Sequence, residues 1–402
     1  MIEVFRHRGF AVYWSARFLS AFAAHFVSVA VGWHIYELTR DPFDLGLVGL
    51  FQFLPFPLLI FATGAVADRF DRRRIMAICI VAQFLLVAGL VGLVVGDDAR
   101  TWPYFLILFG LGTARAFQGP ATQSMVPNLV PAEALSTAIA YNSSSWQMAS
   151  ILGPVIGGLL YGISAFLPFA TAAAALLVAL ALSTQIPAMT RIASTGTMGW
   201  QSLSAGFRYI WREKVVLGAI SLDLFAFLLG GCAALLPAYA SDILNVGPLG
   251  LGLLRSASGI GALLVALFLA RRPIADHAGK IMFAGVAAFG VFTAVFGFSV
   301  WAWLSILALT LMGAADMLSV YIRETLIQLW TPDQLRGRVN AVNMVFIGAS
   351  NELGAFRAGV MAALIGVVPA VVVGGVGTIL VAALWAHWFP ALLQIRRLDR
   401  AR

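Results

Sequence analysis

Long apolar stretches alternate with short polar turns along the whole chain. An α-helix rises 1.5 Å per residue, so about 20 apolar residues cross the ~30 Å hydrocarbon core of a bilayer. The stretches of that length lie at 11–38, 45–69, 75–95, 102–126, 138–163, 165–187, 215–240, 247–271, 279–298, 302–329, 338–366 and 368–390. The pattern predicts an all-α membrane protein with 12 transmembrane helices.

Composition agrees with a membrane protein and excludes a soluble one. Apolar residues make up 61% of the 402 residues and charged residues 11%, whereas soluble domains are about 25% charged. A soluble core of this size could not hide so much apolar surface, but a bilayer can because it is itself apolar.

The net charge of +8 comes from arginines and lysines in the turns between spans. They concentrate on one side, and loops rich in Lys and Arg face the cytoplasm. Their positions on that side are Arg6, Arg8, Arg69, Arg72, Arg73, Arg74, Arg191, Arg208, Arg212, Lys214, Arg271, Arg272, Lys280, Arg336, Arg338 and the tail from Arg396. Both termini are therefore predicted to be cytoplasmic. There is no basic stripe with stacking aromatics, so we expect no nucleic-acid partner.

The longest polar stretch falls near the middle of the chain and divides it into halves. We predict a first six-helix bundle at 1–187, a cytoplasmic linker at 188–214 and a second six-helix bundle at 215–402.

Shifting the chain by half its length aligns similar residues of the two halves. The aligned pairs are Asp41 with Asp242, Gly49 with Gly250, Pro131 with Pro332, Asn142 with Asn343 and Gly153 with Gly354, while Arg115 falls on Asp316. Such weak internal symmetry is typical of transporters built from two pseudo-symmetric bundles.

The loop between spans two and three carries Gly64, Asp68, Arg69, Arg72 and Arg73. It resembles the G-x-x-x-D-R-x-G-R-R signature of the major facilitator superfamily, which implies the two-bundle fold of that superfamily. The resemblance also implies that these residues form a conformational latch. The sequence departs from the signature at one glycine, which is Asp71 here.

Two further motifs resemble those of drug–proton antiporters and other exporters in the same superfamily. One is R-x-x-Q-G in span four, and the other is G-P-x-x-G-G in span five. Their residues are Arg115, Gln118, Gly119, Gly153, Pro154, Gly157 and Gly158. Arg115 lies deep in the membrane, so it has either a coupling role or a structural one.

The second half narrows the resemblance to the group that contains enterobactin exporters and macrolide efflux pumps. The similar segments are Ala314–Asp316, Thr331–Asn340 and Gly348–Gly354. Members of this group carry an acidic pair after the last glycine, where this chain has Ala355 and Arg357.

Ionisable residues at membrane depth are candidates for function. A carrier of protons must change charge near neutral pH, which a shielded carboxylate or a histidine can do. The proton-coupling candidates are Asp316, which comes first, and then Asp223, Glu352 and His25, with Arg115 as a possible charge partner. For each of them the alternative is a structural ion pair. Arg323 and Glu324 are expected to snorkel toward the cytoplasm.

In the resembled fold, spans one, four, seven and ten line a central cavity. The resulting cavity candidates are Arg17, Phe22, Phe26, Gln118 and Asp223. The two phenylalanines fit either an apolar cargo or lipid.

We therefore predict a secondary-active exporter, by proton antiport, of an amphipathic small molecule such as a siderophore or drug. Import of a metabolite or lipid by the same fold remains an alternative, since a fold does not fix direction or cargo. No protease or hydrolase motif and no Walker loop occurs, so neither an enzyme nor an ATP-driven pump is expected, and no cofactor or metal is predicted. The expected partners are cargo, protons and membrane lipids, with the chain acting as a monomer in the bacterial inner membrane.

The charge distribution predicts which loops face which side. Thr197→Cys lies in the basic linker, and Asp98→Cys lies in a loop on the other side. Labelling of intact cells with a membrane-impermeant maleimide should modify Asp98→Cys alone, and permeabilised cells should show both. Labelling of both variants in intact cells would contradict the two-bundle topology.

Overall fold

The computed structural model describes residues 3–123, 125–187, 200–274 and 276–398, and helices account for nearly all of them. The α-helices are α1 (Arg8–Thr39), α2 (Pro42–Phe53), α3 (Pro55–Arg69), α4 (Arg72–Val95), α5 (Trp102–Gln123), α6 (Leu135–Ile163), α7 (Leu167–Ser183), α8 (Trp200–Arg212), α9 (Lys214–Gly230), α10 (Leu236–Ala238), α11 (Gly247–Arg271), α12 (Ala278–Phe298), α13 (Ala302–Trp330), α14 (Asp333–Ile365), α15 (Val367–Trp388) and α16 (Pro390–Leu393).

Each predicted span coincides with one helix or with a broken pair of helices. Within the described ranges, nine helical segments are long and apolar enough to cross a membrane, and α7 is a shorter apolar helix of 17 residues. The second span is interrupted between α2 and α3 at Leu54, because Pro55 and Pro57 have no backbone N–H to donate, although Leu54 itself keeps right-handed helical dihedrals. The all-α prediction with 12 spans is confirmed.

The seventh span is interrupted as well. After α9 ends, the chain passes Gly231 and Cys232 and continues through a 3₁₀ turn, α10 and a π-helical turn at Tyr239–Ile243. Arg357 on α14 donates to the Gly231 carbonyl at 3.5 Å. Because the carboxyl end of a helix carries partial negative charge, this cation suits the interrupted end of α9.

The predicted linker contains a helix that the sequence reasoning did not identify. Residues 188–199 lie outside the described residues, and α8 follows them. Ile210 of α8 is buried, and the Tyr209 hydroxyl donates to the Trp330 carbonyl at 2.6 Å. The helix is therefore packed onto the second half of the chain rather than hanging free.

Residue contacts divide the chain into two compact units. The first consists of Met1–Leu38, Phe51–Met198 and Gly247–Leu253, and the second of Thr39–Leu50, Gly199–Val246 and Leu254–Arg402.

Close glycine contacts repeat in the two units at matching positions. In the first unit, a Cβ on Gly153 of α6 would lie 2.6 Å from the Cβ of His25 on α1. In the second unit, a Cβ on Gly354 of α14 would lie 2.7 Å from the Phe227 carbonyl oxygen on α9. Gly153 and Gly354 are one of the pairs aligned by the half-chain shift, so the internal repeat corresponds to a repeated helix packing.

The glycines of α6 are packing positions. A Cβ on Gly158 would collide with the carbonyl oxygen of Pro248 at the start of α11, and one on Gly157 would press on Phe26 at 3.3 Å. Gly162, one turn further along the same helix, has no atom of the described residues within 4 Å of such a Cβ. The G-P-x-x-G-G motif thus lets backbones approach where a side chain would not fit.

This packing predicts opposite outcomes for two substitutions in one helix. Gly158→Ala should destabilise the protein by about 1–3 kcal/mol, because the backbone carbonyl of Pro248 cannot move aside cheaply. Gly162→Ala adds the same methyl group in open space and should be neutral or stabilising by up to ~1 kcal/mol. Thermal unfolding in detergent measures both, and equal melting temperatures for the two variants would contradict the assigned contact.

Candidate functional site

One face of α13 carries three polar residues at spacings of three and four. Asp316, Ser319 and Arg323 follow one another as i, i+3 and i+7, which places them on the same side of a helix. Asp223 of α9 meets this face within the second unit.

Asp223 and Arg323 form a buried ion pair. Asp223 is 7% exposed and Arg323 is 3% exposed, and an Arg323 Nη1 atom contacts Asp223 Oδ2. The other terminal nitrogen lies 3.5 Å from Glu324 Oε1, and Glu324 accepts a hydrogen bond from Asn343 Nδ2 at 2.9 Å. The network joins α9, α13 and α14. Removing one member of a buried pair leaves an uncompensated charge, which typically costs about 3–5 kcal/mol.

Asp316 and Asp223 line the same small cavity between α9, α12 and α13. The other lining residues are Ala226, Phe227, Val286, Phe289 and Ser319. Within the described part of the chain, no cation lies within salt-bridge distance of Asp316, because Arg323 is engaged by Asp223. Asp316 therefore faces an apolar cavity beside a second carboxylate, with one arginine near both.

The prediction that Arg323 snorkels to the cytoplasm is wrong. Its guanidinium is almost fully buried and neutralises Asp223. A closer reading of helical spacing could have found this, since Arg323 shares a helix face with Asp316. Glu324 is more exposed, with 40% of its side chain accessible, and it still contributes to the network.

Glu352 has a basic neighbour of its own. It lies on α14, near enough to Arg255 of α11 for an electrostatic interaction, and its carboxylate approaches Gly49 of α2. The second unit thus holds two separate acid–arginine groups at membrane depth, one around Asp223 and one around Glu352.

In the first unit the R-x-x-Q-G residues interact with glutamines. Arg115 donates to Gln52 Oε1 at 3.0 Å, and Gln83 Nε2 donates to Gln118 Oε1 at 2.7 Å. Arg115 and Gln83 also line a second small cavity with Ala23, Ala24, Val27, Val87, Leu111 and Leu176. A Cβ at Gly119 would meet no atom within 4 Å, so this glycine is not required for packing.

The candidates on α1 have packing partners within the first unit. Arg17 donates to the Tyr13 hydroxyl at 3.3 Å, and His25 packs edge-on against Trp146 with ring centres 5.3 Å apart. Phe22 and Phe26 have ring centres 4.6 Å apart, and Phe26 is only 2% exposed. Of the predicted cavity residues, Asp223 lines one of the two small cavities, and Gln118 is bonded to a residue that lines the other.

The loop between α3 and α4 has Asp71 where the family signature has a glycine, and the structure gives a physical reason for this difference. Asp71 is the N-cap of α4, and its side chain accepts from the Arg73 backbone N–H at 3.0 Å. Its φ of −63° is one that any residue adopts, so a glycine is not needed there.

The Arg73 side chain donates to the Thr184 carbonyl at the end of α7 at 2.6 Å. The side chain of Asp68 lies outside the described residues; Gly64 and Arg72 are half-buried and Arg69 is exposed.

Relatives in bacteria extend over the whole chain. An enterobactin exporter EntS from Escherichia coli O1:K1 / APEC is 25% identical over 398 residues, which is 97% of this chain and 93% of the relative. The enterobactin exporter EntS of Citrobacter koseri is also 25% identical, over 97% of this chain and 94% of its own.

Solved structures share the fold at low sequence identity. The nucleoside transporter NupG, in a mutant form, matches with a TM-score of 0.78 and 12% identity over 95% of this chain and 100% of its own. A bacterial homologue of the iron transporter ferroportin in an inward-facing state matches with a TM-score of 0.69 and 16% identity, over 95% of this chain and 98% of its own. The model of the family described as transmembrane secretion effector matches residues 2–399. This chain therefore belongs to the transmembrane secretion effector family, a group of major facilitator superfamily transporters without enzymatic activity.

Proposed function

We propose that this transporter is a proton-driven exporter of an amphipathic small molecule, working by alternating access. The observation that carries the proposal is the cavity shared by Asp316 and Asp223 beside Arg323. Membership of a secretion family and the exporter relatives support the direction.

Asp223 and Asp316 have different roles in this proposal because their partners differ. Asp223 is held by Arg323, so losing its negative charge would leave that arginine uncompensated. Asp316 has no such partner among the described residues, and the negative charge of Asp223 opposes a second charge in the same cavity. Asp316 is accordingly the group that binds and releases the proton, and Asp223 with Arg323 holds the surrounding charges fixed.

A proton on Asp316 changes the electrostatic balance of the cavity. With the carboxylate ionised, two negative charges line the cavity, and Arg323 beside it neutralises only the one on Asp223. With it protonated, the Asp223–Arg323 pair is neutral overall. Exchange between these states as water reaches and leaves the cavity would couple proton entry to cargo exit. Glu352 is less suited to this role, since it already interacts with Arg255.

Arg115 acts as a partner for polar cargo or as a structural cation of the first unit. It is held by Gln52 and lines an otherwise apolar cavity. A guanidinium in such a setting suits a negatively polarised oxygen on an amphipathic cargo. The enterobactin exporters among the relatives make catecholate siderophores the first cargo to test. Import remains the alternative direction, and a nucleoside transporter is among the structures that share the fold.

The proposal includes a cellular setting. We place the chain as a monomer in the bacterial inner membrane with both termini cytoplasmic, and residues Gly64–Arg73 as the latch between its conformations. The two bundles at 1–187 and 215–402, joined by 188–214, are the moving parts in this scheme.

Replacing Asp316 by asparagine should separate proton coupling from cargo movement. The variant cannot take up a proton, so gradient-driven export in proteoliposomes should fall to the rate seen without a gradient. Passive cargo exchange needs only alternating access and should persist. The assay measures initial rates with an imposed pH gradient and a panel of dyes, macrolides and catecholate siderophores.

Asp276→Asn is the matched control, because it removes the same charge from an exposed turn of the same unit. It should leave both rates unchanged. Full gradient-driven export by Asp316→Asn would remove Asp316 from the coupling role and pass it to Asp223, Glu352 or His25.

Arg115→Ala, measured in the same assay, should raise the pH optimum of the export rate if that arginine opposes protonation of a coupling acid.

The latch assignment predicts a kinetic defect rather than a binding defect. Asp68→Asn should slow turnover while cargo affinity stays near that of the unmodified protein. Asp71→Asn is the control three residues away, because asparagine can still cap α4. Loss of cargo binding in Asp68→Asn, with exchange per bound cargo intact, would argue against a latch.

A further inference from the structure

Four polar side chains meet in the first unit, at the end of α1 that is remote from the N-terminus. His34 and Glu37 lie one turn apart on α1, Tyr104 lies on α5 and Tyr161 lies on α6. None of them belongs to a motif or to the cavities described above. Tyr104 is fully buried and Tyr161 is 6% exposed, whereas Glu37 is exposed.

The distances make one continuous hydrogen-bonded chain. Glu37 Oε2 lies 2.7 Å from the Tyr161 hydroxyl, which lies 2.8 Å from His34 Nδ1. His34 Nε2 lies 3.0 Å from the Tyr104 hydroxyl, and that hydroxyl is 3.5 Å from the Asp98 carbonyl. Each His34 nitrogen therefore faces a tyrosine hydroxyl, a group that can donate or accept.

The proton positions follow from the acceptor at one end. An ionised Glu37 can only accept, so the single Tyr161 proton points to Glu37 and the Tyr161 oxygen accepts from His34 Nδ1–H. In the neutral ring, Nε2 then accepts from the Tyr104 hydroxyl. When a proton is added at Nε2, the new N–H donates to the Tyr104 oxygen, and the Tyr104 proton turns to the Asp98 carbonyl. Both charge states of the ring are satisfied without moving a heavy atom.

Burial disfavours a positive charge on the His34 ring, and two nearby carboxylates offset part of that cost. Glu37 on its own helix and Asp97 in the turn after α4 are both close enough to interact with it electrostatically. The Asp98 carboxylate in that turn is bound by Arg100 at 2.7 Å, and this arginine lowers the pKa of Asp98 to about 2. Asp98 stays ionised at any physiological pH, so it is not the group that titrates here.

We infer that His34, held between Tyr161 and Tyr104 and linked to Glu37, is a proton-binding site of the first unit, distinct from Asp316. Glu37 is its open end: when Glu37 is protonated it donates to the Tyr161 oxygen, Tyr161 donates to Nδ1, and the neutral ring carries its proton on Nε2. Passing the Glu37 proton to the Tyr161 oxygen and the Tyr161 proton to Nδ1 then leaves an ionised Glu37 and an imidazolium ring. One proton enters, one positive charge appears on the ring, and no bond to carbon changes. Its use during transport rests on the proposed function, but the binding of the proton does not.

Nuclear magnetic resonance of ¹⁵N-histidine-labelled protein in lipid nanodiscs tests the site without any transport. The chain has five histidines, and His34→Gln identifies the His34 ring signals by their loss. We expect these signals to titrate as the pH is lowered. In Glu37→Gln the midpoint should fall by on the order of one pH unit, because the carboxylate that favours the imidazolium is gone.

Tyr161→Phe should lower the midpoint in the same direction, since it breaks the link between the ring and Glu37. Tyr239→Phe is the control, because it deletes another buried hydroxyl that donates to a backbone carbonyl, at 2.9 Å in the second unit. It should leave the His34 signals unchanged. A His34 ring that does not titrate, or whose midpoint in Glu37→Gln and in Tyr161→Phe equals that of the unmodified protein, would overturn the inference whether or not the protein exports anything.

Discussion

The pair of Asp223 and Arg323 illustrates the constraint on which the rest of the structure depends, namely that a polar group without water must find its partner inside the protein. Each charge alone would cost several kcal/mol to bury. Together with Glu324 and Asn343 they form a neutralising network that joins α9, α13 and α14. Arg323 is engaged in this way, and Asp316 lies beside the network rather than in it; the proposed proton-binding role of Asp316 rests on that position.

The same constraint governs the backbone. Interrupted helices expose carbonyl groups that water would otherwise satisfy. At the end of α9 the side chain of Arg357 donates to the Gly231 carbonyl, and at the end of α7 that of Arg73 donates to the Thr184 carbonyl. Asp71 satisfies an N–H at the start of α4. Residues that depart from a family pattern, such as Asp71 and Arg357, thus have local structural roles that account for their presence.

Close packing of helices replaces the hydrophobic driving force that is weak between helices in lipid. Glycines 153 and 354 bring α6 onto α1 and α14 onto α9 at equivalent places in the two units. The polar groups are distributed less evenly. The first unit pairs its deep arginine with an amide and places a histidine between tyrosines, whereas the second pairs acids with arginines. Similar frameworks therefore carry different polar chemistry in the two units.

The sequence by itself determined the fold class, the span positions and the family, because span length is set by bilayer thickness and the motif residues are contiguous. It also identified Asp316 and Asp223 as unusual, since charges at membrane depth are rare. It did not identify the partner of Asp223: Arg323 was expected to reach the cytoplasm, and only the packing of α9 against α13 showed it to be buried. Nor did it connect His34 with Tyr104 and Tyr161, which lie on three different helices. The position of a span can be predicted from its own residues, because the thickness of the bilayer sets its length. A hydrogen-bond partner far along the chain depends on how the helices pack, and only the tertiary structure decides that.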